Sequence, residues 1–551
     1  MNQEQLDRAL ERARTTLEAE DYELFKAVVE TLAYLTRVAE DGQTTIKQLR
    51  RLLFGSKTEK TRGVLMLLQQ FEEDEGEGTG AGEETRTREA SGSAGDVRTQ
   101  KGAAALKKRA KGHGRNGADA YVGAKRIPVA HGSVKHGDRC PACSRGKVYE
   151  LKNEPETLIR IVGAPPIQAT LYDLQRLRCN GCGELFTAEA PDGVGWEKYD
   201  VTAGAMMGLL KYGTGVPFYR QEKLQQSLGI PLPASTQWEI VEGVSETIAP
   251  VHAELIRQAA QGEVIHNDDT GMKVLELNGR QRTAHGERTG VFTSGIVSTR
   301  EGQKIAVFFT GMKHAGENLA EVLAQRAAEL GPPIQMCDAL ARNLPKPLEV
   351  ILGNCLAHGR RQFIDVAENF PAECRHVLET LSEVYKNDAL ARERGMSPTQ
   401  RLSFHKEQSG PIMEDLQNWF RQQLAEKRVE PNSGLGKAIR YFLRHWDPLT
   451  LFLRQPGAPL DNNICERALK RVILHRKNAL FFKTQNGAHV GDVFLSLIHT
   501  CHLSGANPFD YLTELQRHAK EMTADPQDWM PWNYREMLTR TATTASRDSP
   551  R

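Results

Sequence analysis

The chain has 551 residues, 39% apolar and 26% charged, and its 72 basic and 70 acidic side chains leave a formal charge of +2. This is the composition of a soluble globular protein with room for about three or four domains, and it excludes binding to nucleic acid through a strong overall field. The opening residues Met1–Asp7 are polar, and no run nears the roughly 18 apolar residues that span a bilayer, so a cytoplasmic chain is expected.

Residues 1–71 read as a helical region. Leu32, Leu35, Ala39, Ile46, Leu49 and Leu53 fit heptad a and d sites with Gly42 at a d site between them, so a short coiled coil and a plain helical hairpin both suit. Residues 72–124 pass from Glu72-Glu73-Asp74-Glu75 through Gly, Ser and Thr to Lys107, Lys108, Arg109 and Lys111. Such a stretch buries too little apolar area to offset its ordering entropy, and reads as a flexible linker whose basic end can touch a DNA backbone.

Residues 125–190 hold Cys140-Pro141-Ala142-Cys143 and Cys179-Asn180-Gly181-Cys182. Two C-x2-C knuckles can bring four thiolates to one tetrahedral Zn²⁺, and Arg139, Lys147, Arg176 and Arg178 favour the thiolate form. Four cysteines leave no open position, so this zinc-ribbon-like module is structural.

Residues 191–260 read as a helical connecting or DNA-binding region. The stretch 261–371 is mixed: Val264-Ile265, Val291-Phe292, Ile296-Val297 and Ile305–Phe309 are strand cores with Gly295 and Gly302 as breakers. A helix is expected around 317–330, and strands at 334–337 and 350–352. Residues 360–450 look helical, with 372–445 as an insertion, and 446–522 close the fold with amphipathic helices before a tail, 523–551. Val490, Val493, Phe494, Leu497, Ile498 and Cys501 form one apolar stripe, and Asn507-Pro508 is a favourable helix start.

The chemistry sits at strand ends. Asp268 and Asp269 follow an apolar strand core, and Asp338 follows Ile334–Cys337. Carboxylates at the ends of neighbouring strands can converge, and two or three of them can share two Mg²⁺ ions about 4 Å apart. A third carboxylate, Glu466, lies on the helix begun by Asp461-Asn462-Asn463, amid Arg467, Lys470, Arg471, His475, Arg476 and Lys477. An acid in a basic field suits a metal ligand that works on phosphates. Cys337, Cys355, Cys374, Cys465 and Cys501 read as buried fillers; Cys355 and His358 have the spacing of a ligand pair, with no third partner evident in the sequence.

These residues carry a resemblance. Leu49–Lys57, the cysteine knuckles, His266-Asn267-Asp268-Asp269-Thr270, Cys355–Phe363, Asp461–Asn478, Ser496–Thr500 and Asn507–Leu512 resemble the DDE transposases of bacterial insertion sequences, in particular the insertion-sequence sixty-six type. The resemblance implies a multidomain α+β protein: an RNase H-like α/β catalytic core (261–371 and 446–522) interrupted by the helical insertion, with the zinc-ribbon-like module and the N-terminal helical region before it. It implies Asp268, Asp338 and Glu466 as catalytic ligands of two Mg²⁺ (or Mn²⁺) ions. The usual family text near the first acid is Asp-Glu-Thr-Pro, and Asp268-Asp269-Thr270-Gly271 departs from it, leaving Asp269 as a rival ligand. Arg467, Lys470, Arg471, Arg476 and Lys477, with Arg360 and Arg361, are the expected nucleic-acid contacts; His358 is expected either to line the same groove or to be structural.

The implied function is metal-dependent cleavage and strand transfer at transposon ends, by a homo-oligomer acting on end and target DNA with small accessory proteins of the same element. The alternatives are a catalytically silent DNA-binding derivative and a nuclease without strand transfer.

Overall fold

The computed structural model describes residues 133, 135–149, 164, 166–178, 185–195, 197–277 and 290–547. The N-terminal helical region, the linker, and Cys179 and Cys182 lie outside the described residues. Two compact units result, one being Ala81–Gln168 and the other the rest of the chain.

In the smaller unit Cys140 and Cys143 occupy a tight turn. The Cys140 amide donates to the Gly146 carbonyl at 2.8 Å, and the Ser144 amide donates to the Cys140 carbonyl at 2.8 Å. Backbone hydrogen bonds from Gly146 and Arg145, with one from the Cys140 side chain, hold the Cys143 thiol below its usual pKa. This favours the thiolate a metal would need.

The larger unit opens with an antiparallel pair, β1 (Arg176–Arg178) and β2 (Leu185–Thr187). Helices α1 (Val201–Gly208), α2 (Phe218–Ser227) and α3 (Ala234–Ala259) follow. Then come β3 (Val264–Gly271), β4 (Phe292–Arg300) and β5 (Gln303–Gly311), which form an antiparallel meander. Helix α4 (Ala315–Leu323) crosses to β6 (Ile334–Cys337), and β7 (Ile351–Asn354) completes a five-stranded sheet of order β5-β4-β3-β6-β7. β6 and β7 run parallel to β3. Helix α4 ends at Leu323, seven residues before the end its sequence suggests. The Arg326 guanidinium is committed to the carbonyls of Ala260, Gly262 and Gly331, which turns the chain back to the sheet.

β5 is an edge strand, and an exposed edge invites pairing with another chain. Here α11 (Gln485–Ser504) covers it. The amides of Thr310, Phe308 and Ala306 donate to Asp492 (2.6 Å), Ser496 (3.0 Å) and Thr500 (3.1 Å), three acceptors at i, i+4 and i+8 on one helix face. The apolar stripe Val490, Val493, Phe494, Leu497, Ile498 and Cys501 is buried alongside. After it, α12 (Pro508–Arg517) starts where the Asn507 side chain accepts from the Phe509 amide at 3.0 Å.

Between β7 and the helix bearing Glu466 lie α5 (Leu356–Ile364), α6 (Pro371–Glu393), α7 (Pro398–Gln408), α8 (Gly410–Ala425) and α9 (Gly434–Arg444). Their centre is Phe363, Phe420 and Phe442, with ring centroids 5.5–5.6 Å apart. Burying each such ring stabilises by about 2–3 kcal/mol. A Cβ at Gly359 would come within 2.6 Å of the Phe442 ring, so glycine is what lets α9 lie against α5. Among the described residues, no helix is long and apolar enough to cross a membrane.

Candidate active site

The pairing of His266 with Met336 fixes the register of parallel strands β3 and β6. Two residues beyond that pair on each segment stand Asp268 and Asp338, which the register places level with each other. Asp338 follows the last residue of β6. Asp268 and Asp269 lie inside β3, which runs on to Gly271 because β4 pairs with it along its whole length, and not at the strand end expected from the sequence. One strand over, Cys355 directly follows the end of β7. Helix α10 (Asn463–Ala479) covers this end, because Cys465, Ala468, Leu469 and Val472 are its buried stripe.

Pleating separates the two consecutive aspartates, since successive strand residues face opposite sides of a sheet. Asp268 pairs with Gly295 of β4. A Cβ built on Gly295 would meet Leu469 at 3.0 Å and the Cys465 sulfur at 3.6 Å, both on α10. Directly opposed residues share a face, so Asp268 belongs to the side that carries Glu466. Asp269 pairs with Ser294, whose hydroxyl accepts from Asn318 of α4 at 2.8 Å on the other side. There the Asp269 carboxylate is held by His314 at 2.9 Å and Arg342 at 3.2 Å.

Burial, followed by the negative charge of Asp338 and then those of Asp269 and Glu466, raises the Asp268 pKa to about 7. The three acids 268, 338 and 466 therefore share one electrostatic neighbourhood, and the charges acting on Asp268 are of its own sign. That donor set, all carboxylate oxygen with uncompensated negative charge, fits a hard divalent cation.

A buried polar chain fixes the acids from below. Asn343 donates its side-chain amide to an Asp338 oxygen. The Asn343 main-chain carbonyl accepts from the side-chain amides of Asn267 at 2.8 Å and Gln335 at 2.7 Å. Asn462, the residue before α10, does not cap that helix with its side chain. It lies 3.1 Å from His266 Nδ1 and donates to the Asn267 carbonyl at 3.1 Å, pinning the Glu466 helix to the Asp268 strand. Asp461 supplies the local contact instead, accepting from the Asn463 amide at 3.1 Å.

The basic residues of α10 divide in use. Arg467, Lys470 and Lys477 are exposed. Arg476 is tied to β3, donating to the Gly271 carbonyl and, at 3.3 Å, to the Thr270 hydroxyl. Arg471 is half-buried, and its charge helps to hold His499 and His502 below the usual histidine pKa, after the larger effect of burial. On α5, His358 Nδ1 lies 3.6 Å from Glu466 Oε1, and Arg360 and Arg361 are half-buried, each with partners of its own.

Sequence reasoning missed a second basic surface. Lys437, Arg440, Tyr441, Arg444 and His445 line a concavity of about 260 Å³ on α9. Burial raises the Tyr441 pKa to about 12, with the Asp338 charge next, and its hydroxyl hydrogen-bonds the Ala339 backbone. This face therefore begins beside the second acid. Its signal in the sequence was i, i+3, i+4, i+7, i+8 spacing within a helix whose opposite side is apolar.

Residues 199–490, more than half of the chain, match the family model described as "Transposase IS66 family". Three proteins of Sinorhizobium fredii (strain NBRC 101917 / NGR234), each named only as uncharacterized, are also similar. The protein y4jD is 28% identical over 75% of this chain and 81% of its own length. For y4hP the identity is 24% over 74% and 75%, and for y4qI it is 25% over 60% and 62%.

Proposed function

The chain belongs to the IS66 transposase family, and on that premise we propose that it cuts and joins DNA at one site formed by Asp268, Asp338 and Glu466. The observation that carries this reading is the register: one acid inside β3 and one just past the end of the adjacent parallel strand β6 stand level, with the third on the helix that covers the same face. Sheet order supports it, since a three-stranded antiparallel meander followed by two strands parallel to its first is the arrangement of an RNase H-like core.

Asp268, Asp338 and Glu466 would hold two Mg²⁺ or Mn²⁺ ions, which supply Lewis-acid activation of a water and charge neutralisation at the leaving oxygen. The chain's own residues do the rest. Asn343 and Asn462 hold the two aspartates and the Glu466 helix in fixed relation. Arg467, Lys470 and Lys477 face outward to take phosphate oxygens, and Arg440 and Arg444 extend that path beside Asp338. Arg476 acts earlier in the chain of cause, by seating α10 on β3, and Arg471 turns its charge towards His499 and His502 of α11. Cys140, Cys143, Cys179 and Cys182 would hold one structural Zn²⁺, which metal analysis of freshly purified protein tests as about one ion per chain.

The deciding experiment incubates the chain with DNA flanking its own gene and Mg²⁺ and maps any cuts. Asp338→Asn is expected to keep DNA binding and lose cleavage; cleavage at the wild-type rate would overturn the assignment. Strand-transfer products separate a transposase from a plain nuclease.

A further inference from the structure

Cys355 and His358 gain in the fold the partner that their sequence lacked. Cys355 sits between the end of β7 and the start of α5, and His358 lies in the first turn of that helix. Glu466 arrives from α10. The donor atoms of all three, a thiol sulfur, an imidazole nitrogen and a carboxylate oxygen, lie within 4.8 Å of one another. His358 Nδ1 and Glu466 Oε1 are both buried, and neither has a hydrogen-bond partner. Their 3.6 Å separation is too long for a hydrogen bond. It is close to the edge of a tetrahedron built on metal bonds of about 2.0–2.3 Å. Behind the sulfur, the Asn462 amide donates to Cys355 Sγ at 3.2 Å, a contact that supports a thiolate when a metal is bound.

We propose that Cys355, His358 and Glu466 form a second cation site, for a thiophilic divalent ion of the Zn²⁺ class, and that its occupation withdraws Glu466 from the acid cluster. A mixed sulfur, nitrogen and oxygen set selects Zn²⁺ over Mg²⁺, which takes oxygen ligands. Binding forms bonds to the sulfur, the imidazole and one carboxylate oxygen, and releases the thiol proton to solvent. Glu466 is then committed on the Cys355 side, so Zn²⁺ and the Mg²⁺-dependent reaction compete for one carboxylate. The inhibitory half rests on the function proposed above; the binding half does not.

The metal-free, reduced full-length chain is titrated with Co²⁺, alongside Cys355→Ser and His358→Gln. The wild type minus Cys355→Ser difference spectrum is expected to show a sulfur-to-cobalt charge-transfer band, with contributions from the knuckle cysteines cancelling. A flat difference overturns the proposal. Should Cys355→Ser fail to fold by circular dichroism, His358→Gln decides, with Co²⁺ binding at this site expected to weaken at least about 10-fold, the usual scale for a disturbed ligand shell; unchanged affinity overturns it. Added Zn²⁺ is then expected to slow Mg²⁺-dependent nicking by the wild type, and the ratio of rates with and without Zn²⁺ to approach one in His358→Gln. Equal ratios in the two proteins would remove the inhibitory role. A chain that shows the cobalt band but never nicks DNA sinks the transposase reading alone.

Discussion

Asp268 and Gly295 stand opposite each other across β3 and β4, and the missing side chain at Gly295 is what lets Leu469 bring the Glu466 helix down onto the aspartate's face. The same pleat sends Asp269 to the far side, where His314 and Arg342 hold it.

Neighbouring aspartates should therefore fail in different ways. Asp268→Asn removes a carboxylate from the acid cluster, and its nicking rate is expected to fall by about two orders of magnitude or more with the fold intact. Asp269→Asn instead takes the carboxylate away from Arg342 and one acceptor oxygen from the site that His314 and Arg342 share, at a cost on the order of 1 kcal/mol. Urea unfolding and a nicking assay on both variants separate the two effects. Equal loss of activity at equal stability would contradict the assignment of faces.

Gly295→Ala tests the close approach itself. The added methyl would sit 3.0 Å from Leu469, so either the helix lifts or the leucine moves. Overpacking of this kind costs about 1–3 kcal/mol. Because Glu466 rides on the same helix, nicking should fall more than stability does. Leu469→Ala in the same chain makes room and should recover part of both; a double variant no better than Gly295→Ala would show that the contact does not position the helix.

Much of this site was legible in the sequence, because apolar runs end where acids begin. Ile334–Cys337 before Asp338 marks the end of β6 without knowledge of partners, whereas Val264-Ile265 before Asp268 marks the strand but not its end, since pairing with β4 carries β3 on to Gly271. The choice between Asp268 and Asp269 was not legible, since it turns on which β4 residue lies opposite. Local propensity also misdirects at Asn462: an Asn before a helix suggests a cap, yet its side chain is used 195 residues away at the Asn267 carbonyl. Arg476 carries the same lesson. Within its basic run it resembles Lys477, and only the folded chain shows it donating to the Gly271 carbonyl. The Asp492, Ser496 and Thr500 ladder is hidden because polar residues at helical spacing ordinarily mark a solvated face, whereas here they cap a sheet edge.

Asp492 makes stability depend on pH. Burial raises its pKa to about 7, against two hydrogen bonds from Thr310 that pull the other way. An acid whose folded pKa exceeds its unfolded value binds more protons when folded, so its contribution to stability declines as pH rises from about 4 to about 7. Relative to Asp492→Asn, the wild type should lose on the order of 2 kcal/mol between pH 5 and pH 8. Thermal melts of the two proteins across that range check it, and parallel curves would mean that Asp492 stays ionised throughout.

The α9 face makes the last prediction. Lys437, Arg440 and Arg444 are exposed on one side of a helix whose other side, Leu435, Ala438, Ile439 and Phe442, is buried, so replacing all three with alanine leaves the packing untouched. If they contact phosphates, each neutralised phosphate contributes about 0.9 to the slope of log affinity against log salt. The triple variant is therefore expected to bind DNA more weakly at low salt and to show a slope smaller by about 2–3. Position matters as much as charge. The face meets Asp338 through Tyr441, so DNA held there lies along the approach to the acids, and the loss should be larger for DNA carrying the cut site near its middle than for DNA ending at the cut. An unchanged slope, measured by anisotropy without divalent metal, would place the DNA path elsewhere on the molecule.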